Sequence, residues 1–318
     1  MRPPAVYGSV LDLIGNTPLV DVSALSPNPK VRILVKLEGQ NPGGSVKDRV
    51  ALSMIEEAEK DGRLKPGQTL MEPTSGNTGI GMALVCKLKG YPLICVMPSN
   101  VSPERRQLLE VWGAEIVESP GNEGSNGAVR MAQRLAAENP DYCFLYQYAN
   151  PANPKAHYEG TAPEILRDCP EITHFVAGLG TSGTLIGCGT FLKEHKPGVQ
   201  VWAVEPPSGE MVDGLRNLDD GYIPPIFTDN NGFDLLDRKK VIGPRDSIEG
   251  VRLLRDVGVF AGVSTGAVAT AAIRAAGEID EGVIVFIAPD GGWKYLSSGA
   301  WTDSLDEVEE RARRINYW

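Results

Sequence analysis

Short apolar runs alternate along the chain with segments in which apolar residues recur at the spacing of a helix. Several runs are apolar throughout, which is typical of strands covered on both faces of a parallel sheet. The predicted strands are residues 33–38, 69–73, 93–97, 114–118, 174–178, 200–205 and 283–288. The predicted helices lie near residues 46–61, 77–90, 103–112, 124–138, 183–196, 247–257 and 266–276. This alternation predicts an α/β fold of mostly parallel sheets flanked by helices.

The length of the chain, 318 residues, suits one large domain or two domains of medium size. The segment QYANPANP, residues 147–154, is rich in proline and asparagine, and we expect two domains to meet there. The predicted division is an N-terminal α/β domain, residues 1–150, and a C-terminal α/β domain, residues 151–318.

Composition limits the kinds of partner. A net charge of −10 without a basic run argues against nucleic acid or an anionic membrane as the main partner. The five cysteines are odd in number and include no C-x-x-C pair, which fits reduced thiols better than a disulfide framework or structural zinc. The N-terminal residues lack the apolar core of a signal peptide, and no run of about 18 apolar residues exists. We therefore expect a cytoplasmic protein that binds no metal.

In folds of this class, ligands bind where strands are followed by helices, and four such turns carry candidate chemistry. The first is GGSVKDR, residues 43–49, which places Lys47 after two glycines at the start of a predicted helix. Burial or imine formation would lower the pKa of such a lysine and make it reactive. Taken alone, the turn is more often a solvated lysine paired with Asp48.

The second turn is EPTSGNTG, residues 72–79, between a predicted strand and an apolar helix. Its small and hydroxylated residues would surround free N–H donors at a helix N-terminus, which is a site suited to a carboxylate. A simple N-cap is the alternative, although a cap needs only one of these residues.

The third turn is GLGTSGTLIG, residues 178–187. Its glycines match G-x-G-x-x-G, and Glu205 ends the next predicted strand, so the segment matches the sequence pattern of a dinucleotide-binding loop. The loop also carries three hydroxyls, those of Thr181, Ser182 and Thr184. Hydroxyl and N–H donors together are better suited to a terminal phosphate monoester, so we interpret the loop as a phosphate cup.

The fourth turn is GVSTGA, residues 262–267, which again precedes a helix of small residues. Ser264 or Thr265 could present a neutral hydroxyl to a ligand. Taken alone, either residue is more often an N-cap, because serine and threonine are favoured there.

Together and in this order, the four turns resemble the fold-type II pyridoxal-phosphate enzymes, and the resemblance is closest to the cysteine synthases. The stretches IGNTPLV (14–20), KLEGQNPGGSVKDR (36–49), QYANPANP (147–154) and HYEGTAPEI (157–165) also match. The likeness covers nearly the whole chain. It implies a two-domain α/β enzyme, a homodimer, with pyridoxal 5'-phosphate in the cleft between the domains.

The resemblance implies a role for each turn. Lys47 would carry the cofactor as a Schiff base and, once freed, act as the general base for the α-proton. Asn77 would bond the ring oxygen, and Ser264 would face the pyridine nitrogen with a neutral hydroxyl, a weaker electron sink that suits β-elimination to an aminoacrylate. The phosphate would be held by Gly180, Thr181, Ser182, Gly183 and Thr184. The substrate carboxylate would be held by Thr74, Ser75, Thr78 and Gln147.

Four further stretches resemble the O-phosphoserine-dependent cysteine synthases of actinobacterial type, which are implied to take sulfur from a small carrier protein with a C-terminal thiocarboxylate. They are EITHFVAGLGTSGTLIG, RRQLLEVWGA, FAGVSTGAV and GWKYLSSGA. Arg216, in VDGLRNLDDGY, would grip the substrate phosphate in a bidentate way. A surface arginine paired with Asp219 or Asp220 is the alternative, and O-acetylserine is then the alternative substrate. The stretch FTDNNGFDLL is longer than the subgroup pattern.

Other interpretations remain open from the residues alone. They are a nicotinamide-dinucleotide oxidoreductase, a non-catalytic binding relative, and another type II activity such as cystathionine synthesis or serine dehydration. The three histidines lack metal-ligand spacing and are expected to be structural or surface residues. Tyr317 and Trp318 end the chain, where they could cover the site from water or dock elsewhere on the surface.

Overall fold

The computed structural model describes residues 6–74 and 76–312, and these residues form ten strands in two sheets. The strands are β1 (Leu19–Asp21), β2 (Val31–Leu37), β3 (Leu70–Pro73), β4 (Leu93–Pro98), β5 (Glu115–Ser119), β6 (Cys143–Phe144), β7 (His174–Gly178), β8 (Gln200–Glu205), β9 (Arg238–Val241) and β10 (Gly282–Ala288). The α-helices are α1 (Lys47–Lys60), α2 (Asn77–Lys89), α3 (Pro103–Val111), α4 (Gly124–Glu138), α5 (Ala152–Ala156), α6 (Ala162–Asp168), α7 (Gly183–His195), α8 (Pro225–Asp229), α9 (Gly232–Leu235), α10 (Pro244–Asp256), α11 (Val263–Ala276) and α12 (Leu305–Ala312).

Both sheets are parallel except at one edge. The larger sheet has the order β1-β2-β10-β7-β8-β9, and only β1 runs antiparallel to its neighbour. The smaller sheet has the order β5-β4-β3-β6 and is parallel throughout. Helices cover both sheets, and their apolar faces form the cores. The predicted α/β fold of mostly parallel sheets is therefore confirmed.

The chain crosses between the sheets in an order that the sequence pattern does not reveal. β2 lies near the N-terminus, yet it pairs with β10 in register from Val31 opposite Gly282 to Leu37 opposite Ala288. Helices α1 to α4 then pack against the smaller sheet, and only afterwards does the chain return to the larger sheet. The domain boundaries 1–150 and 151–318 stay a prediction, and the sheets themselves divide the chain differently.

Four buried charges fix the start of α1. Arg49 Nε lies 2.7 Å from Glu38 Oε2, and Arg49 Nη2 lies 2.7 Å from Glu164 Oε2. Lys36 Nζ also donates to Glu164 Oε2 at 2.7 Å and to the Thr17 carbonyl at 2.6 Å. Two positive and two negative groups therefore balance one another. They join β2, the turn after it, α1 and α6 at a point two residues from Lys47.

This network makes the stability of the folded protein depend on pH. Burial alone would raise the pKa of Glu164, but Arg49 and Lys36 outweigh burial and lower the pKa from 4.5 to about 2. A carboxyl whose pKa is lower in the folded protein stabilises it above pH 4.5, and this contribution is lost as the pH falls towards 2.

We expect Glu164→Gln to lower the free energy of unfolding at pH 7 by about 3–5 kcal/mol, because two buried cations lose their shared carboxylate. The same change should flatten the dependence of stability on pH below 4.5. Urea unfolding at a series of pH values measures both effects. Glu171→Gln is the control, because its ion pair with Arg32 is half-exposed and should contribute less than about 1 kcal/mol. Equal acid sensitivity of Glu164→Gln and the unmodified protein would contradict the assignment.

Candidate active site

A cavity of about 450 Å³ lies between the two sheets, at the ends of β3, β4, β7, β8 and β10. It is lined by nine of the residues singled out from the sequence, namely Lys47, Thr74, Asn77, Thr78, Gln147, Gly180, Thr181, Arg216 and Ser264. Ser182, Gly183 and Thr184 continue the same loop into the first turn of α7. Ser75 lies outside the described residues, as do Tyr317 and Trp318 at the end of the chain. All four predicted turns thus converge on one space.

Lys47 is the first residue of α1, and its half-buried side chain lines the cavity. Removal from water lowers the pKa of Lys47 to about 8, although Asp290 and Glu38 act in the opposite direction. Within the described residues, its Nζ makes no hydrogen bond or ion pair. Asp48, the partner considered from the sequence, is buried and instead accepts a hydrogen bond from the Gly43 amide. Lys47 is therefore a desolvated amine that is free to react.

The turn between β3 and α2 forms a cradle of donors. Thr74 Oγ1 accepts a hydrogen bond from the Gly79 amide at 3.1 Å, which holds the turn closed. Thr78 Oγ1 donates to Gln147 Oε1 at 2.6 Å, so two predicted carboxylate-binding side chains are in contact. The first amides of α2 lack partners within the helix and point towards this space. The arrangement is suited to an anion such as a carboxylate.

A buried carboxyl behind this cradle was not predicted. Glu72 accepts hydrogen bonds from the amides of Tyr146 at 2.9 Å and Gln147 at 2.8 Å. Tyr146 has a φ of +52°, a left-handed conformation that a side chain rarely adopts, and the two hydrogen bonds hold it there. Burial raises the pKa of Glu72 to about 7. Its position at the end of a strand, directly before the TSGNTG turn, was the available signal.

The phosphate cup predicted from the third turn has donors of the right kind. Ser182 has a φ of +70° and turns the chain into α7, whose first amides are free of helical partners. Its Oγ is buried and has no hydrogen-bond partner among the described residues, so the loop holds an unused donor. Thr184 Oγ1 lies 3.2 Å from Nε2 of the buried His157. The loop therefore fits a phosphate group.

Close packing explains the glycine at position 183. A Cβ at this position would lie 1.9 Å from Asn153 Oδ1, so close packing against Asn153 requires glycine. Asn153 Nδ2 in turn donates to Thr181 Oγ1 at 3.0 Å. Asn153 thus braces the loop from behind, a contact between two segments that the sequence alone does not join.

Ser264 and Thr265 are neighbours in the first turn of α11, but only Ser264 lines the cavity. Ser264 lines the cavity, and its Oγ makes no hydrogen bond within the described part of the chain. Thr265 is fully buried, and its Oγ1 is also without a partner there. Of the two candidates from the fourth turn, Ser264 is the hydroxyl available to a ligand.

The segment after β10 supplies three side chains that the sequence analysis did not assign. Asn77 Nδ2 donates to Asp290 Oδ2 at 2.8 Å, and Tyr295 donates to the same oxygen at 2.7 Å. Lys294 Nζ donates to Asn77 Oδ1 at 2.6 Å. The available signal was a lysine in the tight sequence PDGGWKYLSS, directly after an apolar strand. This segment forms a fifth turn at the same cavity.

Arg216 lies at the cavity wall without an ionic partner among the described residues. Its guanidinium lies over the rings of Tyr148 and Tyr222, at 5.3 and 5.0 Å from their centres. Asp219, considered from the sequence as a partner, lies 3.5 Å from Lys239 Nζ. Asp220 accepts from Ser208 Oγ at 2.6 Å. The alternative of an arginine paired with either aspartate is wrong, because both carboxylates are used elsewhere.

A buried ion pair closes the cavity beside Arg216. Arg105 Nη2 in α3 lies 2.9 Å from Asp213 Oδ2, in the loop that leads to Arg216. Burial raises the pKa of Asp213 to about 6 although Arg105 opposes the rise. The pair therefore connects the smaller sheet's helices to the loop that carries Arg216.

The histidines are structural. Burial holds the pKa of His157 well below its usual value, so the ring is neutral between Thr161 and Thr184. His174 and His195 pack on Trp202 and Phe191. No group of three potential metal ligands occurs in residues 6–74 and 76–312, and in the same ranges no helix is long and apolar enough to cross a membrane.

Comparison with known proteins shows the family of the chain. Residues 10–290 match the family that is described as "Pyridoxal-phosphate dependent enzyme". Cysteine synthase B of Pseudomonas aeruginosa is 42% identical over 298 residues, which are 93% of this chain and 98% of that protein. A cysteine synthase of Staphylococcus aureus is 41% identical over 91% of this chain and 96% of its own. The crystal structure of O-acetyl serine sulfhydrylase isoform 3 from Entamoeba histolytica has a TM-score of 0.87 and 36% identity, with 99% of each chain covered.

We expect Lys47→Ala to abolish the covalent attachment of pyridoxal phosphate, because Lys47 is the only lysine among the described residues that lines the cavity. Borohydride reduction of the purified protein followed by peptide mass mapping should place the reduced cofactor on Lys47 and find none in the variant. Lys60→Ala, at the exposed other end of α1, is the control. A reduced cofactor that maps to another lysine would remove Lys47 from the mechanism.

Proposed function

Because this chain belongs to the family of pyridoxal-phosphate-dependent enzymes, we propose that it is a cysteine synthase that replaces the phosphate of O-phosphoserine with sulfur. Curated relatives that are named cysteine synthases, more than 40% identical over nearly their whole length, support the general activity. The proposal of phosphoserine as substrate depends on one observation, which is the unpaired guanidinium of Arg216 at the cavity wall.

The surroundings of Arg216 support a role as an anion receptor. An arginine that is half-buried without a carboxylate partner is costly unless a ligand supplies the charge. The rings of Tyr148 and Tyr222 support its flat face, which leaves the N–H edge for a bidentate contact. A phosphate ester offers two such oxygens with negative charge, whereas an acetyl ester offers a neutral carbonyl. The site therefore favours a phosphorylated substrate.

The remaining side chains orient the amino acid. Its carboxylate is held by the amides at the start of α2, by Thr74 and by the Thr78–Gln147 pair. Its β-phosphate then extends towards Arg216, which also neutralises the charge that grows on the leaving phosphate. Each end of the substrate is thus bound by a different wall of the cavity.

Bound pyridoxal phosphate supplies the electron withdrawal that makes the α-proton of an amino acid acidic. The chain supplies the base, because burial lowers the pKa of Lys47 to about 8 and so makes its neutral form more accessible near neutral pH. Ser264 offers the ring a neutral hydroxyl, so the ring nitrogen is not held protonated. A weaker electron sink of this kind favours loss of a β-substituent over reactions that need a long-lived carbanion.

The dinucleotide alternative conflicts with the position of Glu205. This carboxylate is buried, accepts a hydrogen bond from the Leu218 amide at 3.1 Å and pairs with Lys239 at 2.7 Å. Both of its oxygens are thus engaged in the interior, and Glu205 does not line the cavity where a ribose would bind. The motif similarity to the O-phosphoserine-dependent subgroup supports three further proposals: a thiocarboxylated carrier protein or sulfide as sulfur donor, a homodimer, and a cytoplasmic location.

We expect Arg216→Ala to lower kcat/KM for O-phosphoserine by about 10- to 150-fold, the loss of a charge-assisted hydrogen bond to an anion. The value for O-acetylserine should change little. Initial rates of cysteine formation with each substrate and sulfide measure the ratio. Arg238→Ala is the matched control, since that arginine also lies over an aromatic ring, at 5.0 Å from the centre of Trp202, away from the cavity.

An equal loss on both substrates would make Arg216 structural and would favour O-acetylserine as the substrate. Arg216→Lys separates the contribution of the positive charge from that of the bidentate contact, because lysine keeps the charge but lacks the paired N–H donors of a guanidinium. We expect it to recover part of the phosphoserine activity.

A further inference from the structure

Lys294 is a buried lysine that does not line the cavity, yet it contacts a residue that does. Its side chain is 6% exposed, and its Nζ donates to Asn77 Oδ1 at 2.6 Å and to the Gly44 carbonyl at 3.1 Å. Gly44 belongs to the turn that ends at Lys47, and Asn77 begins α2. The ammonium group of Lys294, in the turn after β10, therefore links the turn that contains Gly44 to the turn that contains Asn77.

These contacts determine which way the Asn77 amide faces. A lysine ammonium can only donate, so the atom that it contacts at 2.6 Å must be the amide oxygen. The amide nitrogen then faces Asp290 Oδ2, which accepts one of its two N–H groups at 2.8 Å. One N–H remains, and Asn77 lines the cavity. The two anchors thus leave a single donor for a ligand.

We propose that Lys294 is a positioning residue that locks the Asn77 carboxamide, so that its remaining N–H points at the ring oxygen of pyridoxal phosphate. The proposal rests on the role proposed above for Asn77 towards the cofactor. Without Lys294, the buried oxygen of Asn77 loses its partner, and the amide can rotate to satisfy it. The donor would then be misdirected without any change in the residues that touch the ligand.

Lys294 also acts on Lys47 through its charge. Its positive field lowers the pKa of Lys47 further below the value set by burial. The effect of Lys294 on the orientation of Asn77 can be separated from the effect of its charge on Lys47, because only the first requires the side chain of Asn77. An effect of the field would persist when Asn77 is removed.

The test compares Lys294→Met, Asn77→Ala and the double variant as holoenzymes. Methionine matches lysine in length and lacks both charge and donors. The readouts are the visible absorption maximum of the bound cofactor, the pH midpoint of that band, and the dissociation constant of the cofactor measured by dilution. Lys89→Met is the control, since it removes a cation from the far end of the same helix α2.

We expect Lys294→Met and Asn77→Ala to move the absorption maximum in the same direction. Lys294→Met should weaken cofactor binding about three- to tenfold, and Asn77→Ala should weaken it about tenfold. In the Asn77→Ala background, Lys294→Met should add no further change in the absorption maximum or in affinity. The pH midpoint should rise in both backgrounds, because loss of the cation favours protonation near Lys47.

Additive changes of the absorption maximum or of cofactor affinity in the double variant would overturn the positioning role. An unshifted maximum in Lys294→Met alongside a shifted one in Asn77→Ala would overturn it too. If Lys294→Met does not fold, Lys294→Arg replaces it, because arginine keeps the charge and the donors. Lys294→Arg should have the spectrum of the unmodified protein. A shift of its absorption maximum like that of Asn77→Ala would overturn the proposal. An unmodified protein with a normal visible band but no cysteine synthesis would reject the proposed activity alone.

Discussion

The active-site geometry depends on burying four charges beside the lysine turn. Removing an ion from water costs several kcal/mol, so Lys36, Glu38, Arg49 and Glu164 are tolerated only because each meets its opposite at close range. Such a network permits one arrangement of β2, α1 and α6, since a shift of any element would leave a buried charge unpaired. The start of α1, and with it Lys47, is therefore placed by electrostatics as much as by packing.

The same network explains why distant stretches of sequence share a small-residue pattern. A Cβ at Gly15 would lie 3.0 Å from Arg49 Nη1, and a Cβ at Gly160 would lie 3.1 Å from the same atom. Gly15 belongs to IGNTPLV and Gly160 to HYEGTAPEI, so both motifs leave room for one guanidinium. Their glycines serve the burial of Arg49, which in turn holds the helix of the reactive lysine.

Sequence reasoning identified the elements that carry their signal locally. The apolar runs of the central strands and the helices that begin at Lys47, Asn77 and Gly183 were predictable, because periodicity and turn residues lie within one window of sequence. The exposed edge strand β9, with the sequence RKKV, has no apolar pattern and was missed. The pairing of β2 with β10 and the contacts of Glu72 and Lys294 were also beyond reach, since each joins residues that are far apart in the chain.

Lys47, which lines the cavity, and Lys294, which does not, illustrate what separates an available amine from a structural one. Both lie in the same low-dielectric region, and burial lowers the pKa of each. Lys294 has two acceptors, Asn77 Oδ1 and the Gly44 carbonyl, that favour its charged form and keep it in place. Lys47 has none among the described residues, so its nitrogen stays available. The protein thus assigns the two roles through the placement of acceptors rather than through the depth of burial.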